Sequence, residues 1–252
     1  MEVNKARFYR AVDAAALEEQ ERSGIGTLKE KKLHIILKKY FEEDPVYLEV
    51  PTNGYVADIR RGDLITEIET KGFSGLGPKL AAYLPEYRVR LVHPLAGRKY
   101  VSWIDPETGA LSPRHLSPKK EGICDLLFEL VRILPYADHP RLEVLGPVLE
   151  MDEYRRADGW DRTGKRGSHR VERIPTELTD MIVLATDDDY RRAIPDSLPD
   201  AFTVKEFAKA ARTRTETARA AMKVLEKRGV LVPVGRAGRA VTHVRIRGFL
   251  GF

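Results

Sequence analysis

Three carboxylates and an ammonium group, Asp58, Glu67, Glu69 and Lys71, are spaced in one short stretch of this chain so that they could converge on one spot of a sheet. In Tyr55-Val-Ala-Asp58-Ile-Arg-Arg-Gly62-Asp63-Leu-Ile-Thr-Glu67-Ile-Glu69-Thr-Lys71, two strand-like runs flank a tight Arg-Gly-Asp turn. Side chains alternate faces along a strand, so a strand through the second run projects Glu67, Glu69 and Lys71 from one face. Asp58, near the end of the neighbouring strand, reaches that same face. Carboxylates gathered out of water are costly unless a cation sits among them, and hard cations such as Mg²⁺ prefer oxygen ligands. The bland alternative is the solvated face of an antiparallel hairpin, where alternating charge is ordinary.

The elements that must position these groups are legible on both sides. Upstream, Thr27-Leu-Lys-Glu30-Lys-Lys-Leu33-His34-Ile-Ile-Leu37-Lys-Lys-Tyr40-Phe41 spaces its apolar residues as a helix does. Thr27 and Glu30 form its capping-box pair, and Glu30 and His34, four apart, share a face. His34 alone on a helix is more ordinarily structural than catalytic. Downstream, Gly77-Pro78-Lys79-Leu80 opens a second helix with proline near its first turn, and Arg88–Val92 reads as a strand. The order is helix, three strands, helix, strand.

That order with those carboxylates resembles the PD-(D/E)xK nuclease superfamily, over roughly residues 25–105. The resemblance implies an α/β (α+β) fold, with a restriction-endonuclease-like mixed sheet flanked by helices. It aligns Asp58 with the family's Asp, Glu67 with its Asp/Glu and Glu30 with an acidic residue on the first helix. Glu69 stands where Lys is usual. Some members use Glu-x-Glu or Glu-x-Gln there, which leaves Lys71, Lys79 or a second metal ion to supply positive charge. An inactive descendant is the other outcome of that departure.

The chemistry implied is phosphodiester hydrolysis with Mg²⁺ or Mn²⁺, the metal offsetting negative charge on the phosphate and activating water. Asp58 and Glu67 would be direct ligands and Glu30 would hold a second ion or its water. Glu69 would orient or deprotonate the attacking water, and Lys71 would stabilise developing charge.

Charge along the chain points to a partner. The net charge is +5, but residues 201–252 hold 12 Lys/Arg against three Glu and no Asp, which is +9. The other 200 residues therefore carry −4. A basic terminal segment fits a polyanion, most often nucleic acid. Thr203 and Glu206 cap a short helix, a turn at Arg212–Thr215 follows, and a longer helix from Glu216 stops at Gly229. The runs Val230–Val234 and Ala240–Ile246 then make a hairpin around Gly235-Arg236-Ala-Gly-Arg239. This resembles a winged helix-turn-helix over about 200–247, whose second helix enters the major groove of double-stranded DNA. The resemblance places Thr213, Arg214, Thr215, Thr217 and Arg219 at the bases, and Arg236 and Arg239 at the wing tip against phosphate. Small helical units of this kind also mediate protein contacts.

Between the two ends the pattern says less. Val101–Ser112 reads as strand, turn and strand, 124–133 as an amphipathic helix with Cys124 as a small buried side chain, and Leu142–Met151 as a strand. Residues 155–173 are glycine-rich and irregular, with seven Lys/Arg against three acids around Trp160. A mobile arm gripping a nucleic-acid backbone and an ordinary charged loop both fit that composition. Ile174–Asp180 begins a helix-like segment, and 187–200 is a proline-punctuated connection.

The expected organisation is an N-terminal helix (1–24), a nuclease-like domain (25–152), a basic arm and connection (153–200) and a winged helix-turn-helix (201–252). A hydrophobic fraction of 42% supports a packed core. No apolar run approaches the ~20 residues of a membrane span, the charged N-terminus is not a signal peptide, and the lone Cys124 forms no internal disulfide. These features fit a cytoplasmic protein with no membrane partner. Three functions compete: a metal-dependent DNA endonuclease, with a homodimer favoured for cutting both strands; a catalytically inactive DNA-binding protein or transcriptional regulator; and a nuclease-like scaffold within a defence or repair assembly.

Overall fold

A computed structural model of the chain describes residues 3–22, 32–160 and 166–246. In chain order the elements are α1 (Lys5–Arg22), α2 (Lys32–Phe41), β1 (Leu48–Thr52), β2 (Tyr55–Arg61), β3 (Leu64–Ile68), α3 (Gly77–Tyr83), β4 (Arg88–Val92), β5 (Leu95–Ile104) and β6 (His115–Leu116). There follow α4 (Ile123–Leu130), a 3₁₀ continuation (Val131–Tyr136), β7 (Leu142–Trp160), β8 (Arg166–Leu184) and α5 (Asp187–Arg191). The chain ends with β9 (Ala201–Thr203), α6 (Val204–Ala210), α7 (Thr215–Lys227), β10 (Leu231–Ala237) and β11 (Ala240–Arg245). The fold is mixed α/β. Contacts divide it into two units, each discontinuous in sequence.

One unit comprises Val50–His93, Gly122–Gly146 and Ile182–Phe252. Two tight turns organise its first strands. Asn53 and Gly54 have φ of 46° and 82°, the left-handed pair that suits a two-residue hairpin between right-twisted strands. Gly62, φ 61°, begins the next turn, which sets Arg61 opposite Leu64. In this unit the strands run in the order β1-β2-β3-β4-β7. β2 and β3 are antiparallel, whereas β3–β4 and β4–β7 are parallel. A parallel step needs a crossover element, and α3 supplies it between β3 and β4. Ile65, Val89, Leu91 and Val144 in the strands and Leu80 and Tyr83 in α3 are all buried.

The C-terminal elements of the same unit build a separate small sheet with two helices. β9, β11 and β10 make a three-stranded antiparallel sheet. Thr203 and Glu206 form the reciprocal cap expected at the start of α6. α7 buries Ala218, Ala221, Met222 and Leu225 and packs against α4.

The other unit comprises Met1–Glu49, Pro94–Glu121 and Pro147–Met181. α1 and α2 pack together, with Phe8 edge-on to Tyr40 at 6.3 Å. β5 runs parallel to β7 from Leu95↔Val148 to Ile104↔Arg156, β6 pairs antiparallel with β5, and β8 pairs with β7. At Gly97, where the β5–β7 register slips, a Cβ would lie 2.4 Å from Val148. Lys5 on α1 pairs with Glu177 on β8 at 2.6 Å.

Three expectations are corrected. Residues 155–160 and 166–173 are not an irregular arm: they belong to β7 and β8, each 19 residues long. Ile174–Asp180 continues β8 instead of starting a helix. Pro175-Thr-Glu reads locally as a helix N-terminus, but pairing with β7 overrides local propensity. The strand drawn through Lys71 ends at Ile68. Thr27, Glu30 and the side chain of Trp160 lie outside the described residues.

Candidate active site

β3 is covered on both faces, and every residue of it except Leu64 is buried, including Glu67 at 1% exposure. A carboxylate in that position needs compensation. Part of it comes from α3, whose Lys79 places Nζ 2.7 Å from Glu67 Oε2. Pro78 lies in the first turn of α3, so Lys79 stands at the very start of the helix, beside the end of β3.

The β2–β3 pairing runs through Ile59↔Thr66, and continuing that register sets Asp58 opposite Glu67 on the same face. Asp58 also caps the strand end, accepting the Ile68 amide at 2.7 Å through Oδ2. Burial first, and then the negative charge of Asp58, push the Glu67 carboxyl up to about 7, against the opposing pull of Lys79. Glu67 Oε1 and the hydroxyl of Tyr83 are both buried, and among the described residues neither has a hydrogen-bond partner beyond the contact between Tyr83 and the Glu67 carboxylate itself. Tyr83 is itself raised above the usual phenol range, by burial and then by the charges of Glu67 and Asp58. Tyr55 meets Tyr83 edge-on at 6.1 Å.

Glu69 lies one residue beyond β3. Its amide donates to Val92 O at 2.9 Å, and its carbonyl is 2.6 Å from His93 Nδ1. A carbonyl only accepts, so that ring nitrogen carries the hydrogen. The Glu69 carboxylate is close enough to raise Glu67 further, though less than Asp58 does. The loop continues to Gly72, φ 112°, where a Cβ would sit 2.2 Å from the Glu129 carboxylate of α4. Phe73 donates its amide to that same carboxylate at 3.4 Å.

The structure therefore brings Asp58, Glu67 and Glu69 together and adds Lys79. Lys71, expected on the same strand face, is exposed on the loop. Among the described residues no group of three or more His, Cys, Asp or Glu side chains is placed to enclose a metal ion. Tyr83 and His93 escaped the sequence reading. Tyr83 sits four residues after Lys79 on α3, a spacing that signals a shared helix face. The placement of His93 follows from the Ile68↔Val92 register, which no local pattern encodes.

In the C-terminal elements Arg214, Thr215 and Arg219 are exposed and Thr213 is half-buried. Thr217 departs from the expected set: at 2% exposure it faces inward beside Ala218 and Ala221. The apolar stripe of α7 has a helical period that includes position 217, and a threonine is small enough to be enclosed there. Lys223, four residues after Arg219, is exposed and extends the basic face. Arg236 and Arg239 are exposed on the β10–β11 hairpin.

Comparison with known proteins places the chain in a family. Residues 31–185 match the family described as a domain of unknown function (DUF8091), and the chain belongs to it. A protein of Treponema pallidum (strain Nichols), described as an uncharacterized protein, is 26% identical over 217 residues, 85% of each chain. No solved structure matches. The matched family segment holds Asp58, Glu67, Glu69 and Lys79, while α6, α7 and the β10–β11 hairpin lie beyond it.

Proposed function

We propose that this chain is a metal-dependent DNA endonuclease of the PD-(D/E)xK type, with α6, α7, β10 and β11 acting as a winged helix that holds duplex DNA. The observation that carries this reading is Glu67, a buried carboxylate set opposite Asp58, touched by Lys79 and, among the described residues, offered nothing further than the Tyr83 hydroxyl. The strand order β1-β2-β3-β4-β7, with α3 crossing between two parallel strands, supports the same reading. Among the described residues no helix is long and apolar enough to cross a membrane.

Mg²⁺ fits this donor set. It is commonly held by one or two carboxylates with water and substrate phosphate completing its shell, so a full protein cage is not required. Asp58 and Glu67 would hold it. When bound, the ion polarises the scissile phosphate and lowers the pKa of water. Glu67 sheds its proton to take part, and burial keeps its charge directed at the cation. Lys79, at the β3 end of α3, supplies the positive charge that the family motif usually draws from the position Glu69 occupies. Glu69, held by Val92 and His93 through its backbone, orients the attacking water. Lys71 does not share the Glu67 face and is left out of this assignment. Two copies acting across one duplex would cut both strands.

The basic face of α7, with Arg214, Thr215, Arg219 and Lys223, and the hairpin arginines Arg236 and Arg239, would contact bases and phosphates respectively. A second reading, a binding protein without catalysis, draws on the Lys79–Glu67 pair, which already neutralises the buried carboxylate. Incubating supercoiled plasmid with the full chain and Mg²⁺ or Mn²⁺ separates the two. Nicking that disappears in Asp58→Asn and Glu67→Gln supports the nuclease, and tight binding without nicking supports the second reading.

A further inference from the structure

β5, β7 and β8 gather an unusual charge cluster away from the carboxylate site. Glu153 on β7 is 1% exposed. It is held by Arg155 through one oxygen at 2.5 Å, and through the other by Arg173 at 2.9 Å and Lys99 at 3.3 Å. Burial alone would raise its carboxyl, but the hydrogen bonds from Arg173 and Arg155 bring it down to about 2. A fourth cation, Arg170 on β8, is exposed and has no ion-pair partner among the described residues. It lies within electrostatic range of Arg173, Glu153, Arg155 and Glu121. Glu121 is already engaged by the Ala96 amide and by Lys119. Four cations thus surround two carboxylates whose oxygens are largely committed.

One carboxylate is enough to pair one cation. Three cations converging on it, with Arg170 close beside them, leave an excess of positive charge and spare guanidinium N–H donors. Arginine forks of this kind match a tetrahedral oxyanion with two N–H contacts at once. The Trp103↔Arg155 register places an aromatic ring, 36% exposed, beside Arg155. A flat π-face next to a phosphate-binding fork suits a strand with stacked bases.

We propose that Arg155, Arg170 and Arg173 form an oxyanion site that takes a backbone phosphate of a nucleic-acid strand, with Trp103 as its stacking surface and Lys99, which is buried, committed to Glu153. This rests on the nucleic-acid partner of the reading above, but on neither its cleavage chemistry nor α7. Glu153 is a positioning residue: it draws the cations together and holds their forks in place.

The test is fluorescence anisotropy of the full chain with labelled single- and double-stranded 30-mers across a salt series. Arg170→Glu and Arg155→Ala are compared with Arg219→Glu on α7. Among the described residues Arg170 makes no ion pair, and thermal melts of every variant accompany the titrations so that loss of affinity is scored only in a folded chain. The expected result is at least a roughly tenfold loss of affinity in Arg170→Glu and a salt slope shallower by about 0.7–0.9, the value of one lost phosphate contact. Fluorescence of Trp103 should shift on binding, and a Trp103→Leu chain should lose affinity for single strands more than for duplex. Unchanged affinity and slope in both Arg170→Glu and Arg155→Ala would overturn the site, as would an absence of oligonucleotide binding by the unsubstituted chain. Loss in Arg219→Glu alone would retain the α7 assignment and refute this one. Loss in Arg170→Glu alone would do the reverse. Displacement by inorganic pyrophosphate with no effect of Arg170→Glu on oligonucleotides would identify a free-anion site instead and overturn the proposal.

Discussion

Glu67 is a carboxylate whose surroundings favour the neutral form. Its ordinary value of 4.5 rises to about 7, so the folded chain holds a proton there that the unfolded chain releases. Stability from this group is therefore greatest below pH 4.5 and declines as pH climbs toward 7, with a cost of about 3 kcal/mol once both states are ionised. Glu67→Gln removes that cost, and its thermal midpoint should exceed the parent's by roughly 6–12 °C at pH 8 and match it near pH 4. Equal shifts at both pH values would refute the assignment. A divalent cation needs the ionised form, so Mn²⁺ should stabilise the chain more at pH 8 than at pH 5.5, and not at all in Glu67→Gln. Calorimetric scans at the two pH values check this. Asp58, Glu67 and Glu69 were legible from sequence because antiparallel register and side-chain alternation are local rules. Lys79 and Tyr83 take their roles from how α3 packs, and Lys71 misled because nothing local marks where β3 stops.

At the scale of elements, the loop between β3 and α3 is pinned by α4. Gly72 adopts φ 112° and leaves room for the Glu129 carboxylate, which in turn accepts the Phe73 amide. Gly72→Ala should destabilise the chain by about 2 kcal/mol, combining a backbone conformation that L-residues avoid with a direct clash. Adding Glu129→Ala should recover the steric part alone. Urea melts of the single and double variants read this directly, and full additivity would show that the two residues do not meet. Helices α3, α6 and α7 and the turn at Gly62-Asp63 follow from capping, proline and glycine signals, and α4 from its amphipathic pattern. β8 did not. Its Arg, Gly and Pro content is typical of a loop, and only pairing with β7 makes it a strand.

For the molecule as a whole, the charge asymmetry is what the proposed partner must answer to. Arg219→Glu with Arg236→Glu should weaken DNA binding by at least about a hundredfold at low salt and flatten its salt dependence by roughly two contacts. Thr217→Val, buried in α7, should leave affinity unchanged, and filter binding across a salt series distinguishes the two. The most direct measurement of the central claim is nicking of supercoiled plasmid by the purified full chain in Mn²⁺ at pH 8. The account predicts cleavage by the parent chain, at least ~100-fold slower cleavage in Asp58→Asn and Glu67→Gln, and a marked loss in Lys79→Ala with Lys71→Ala near the parent. Cleavage that survives Glu67→Gln, or no cleavage by a folded, DNA-bound parent chain, would contradict it.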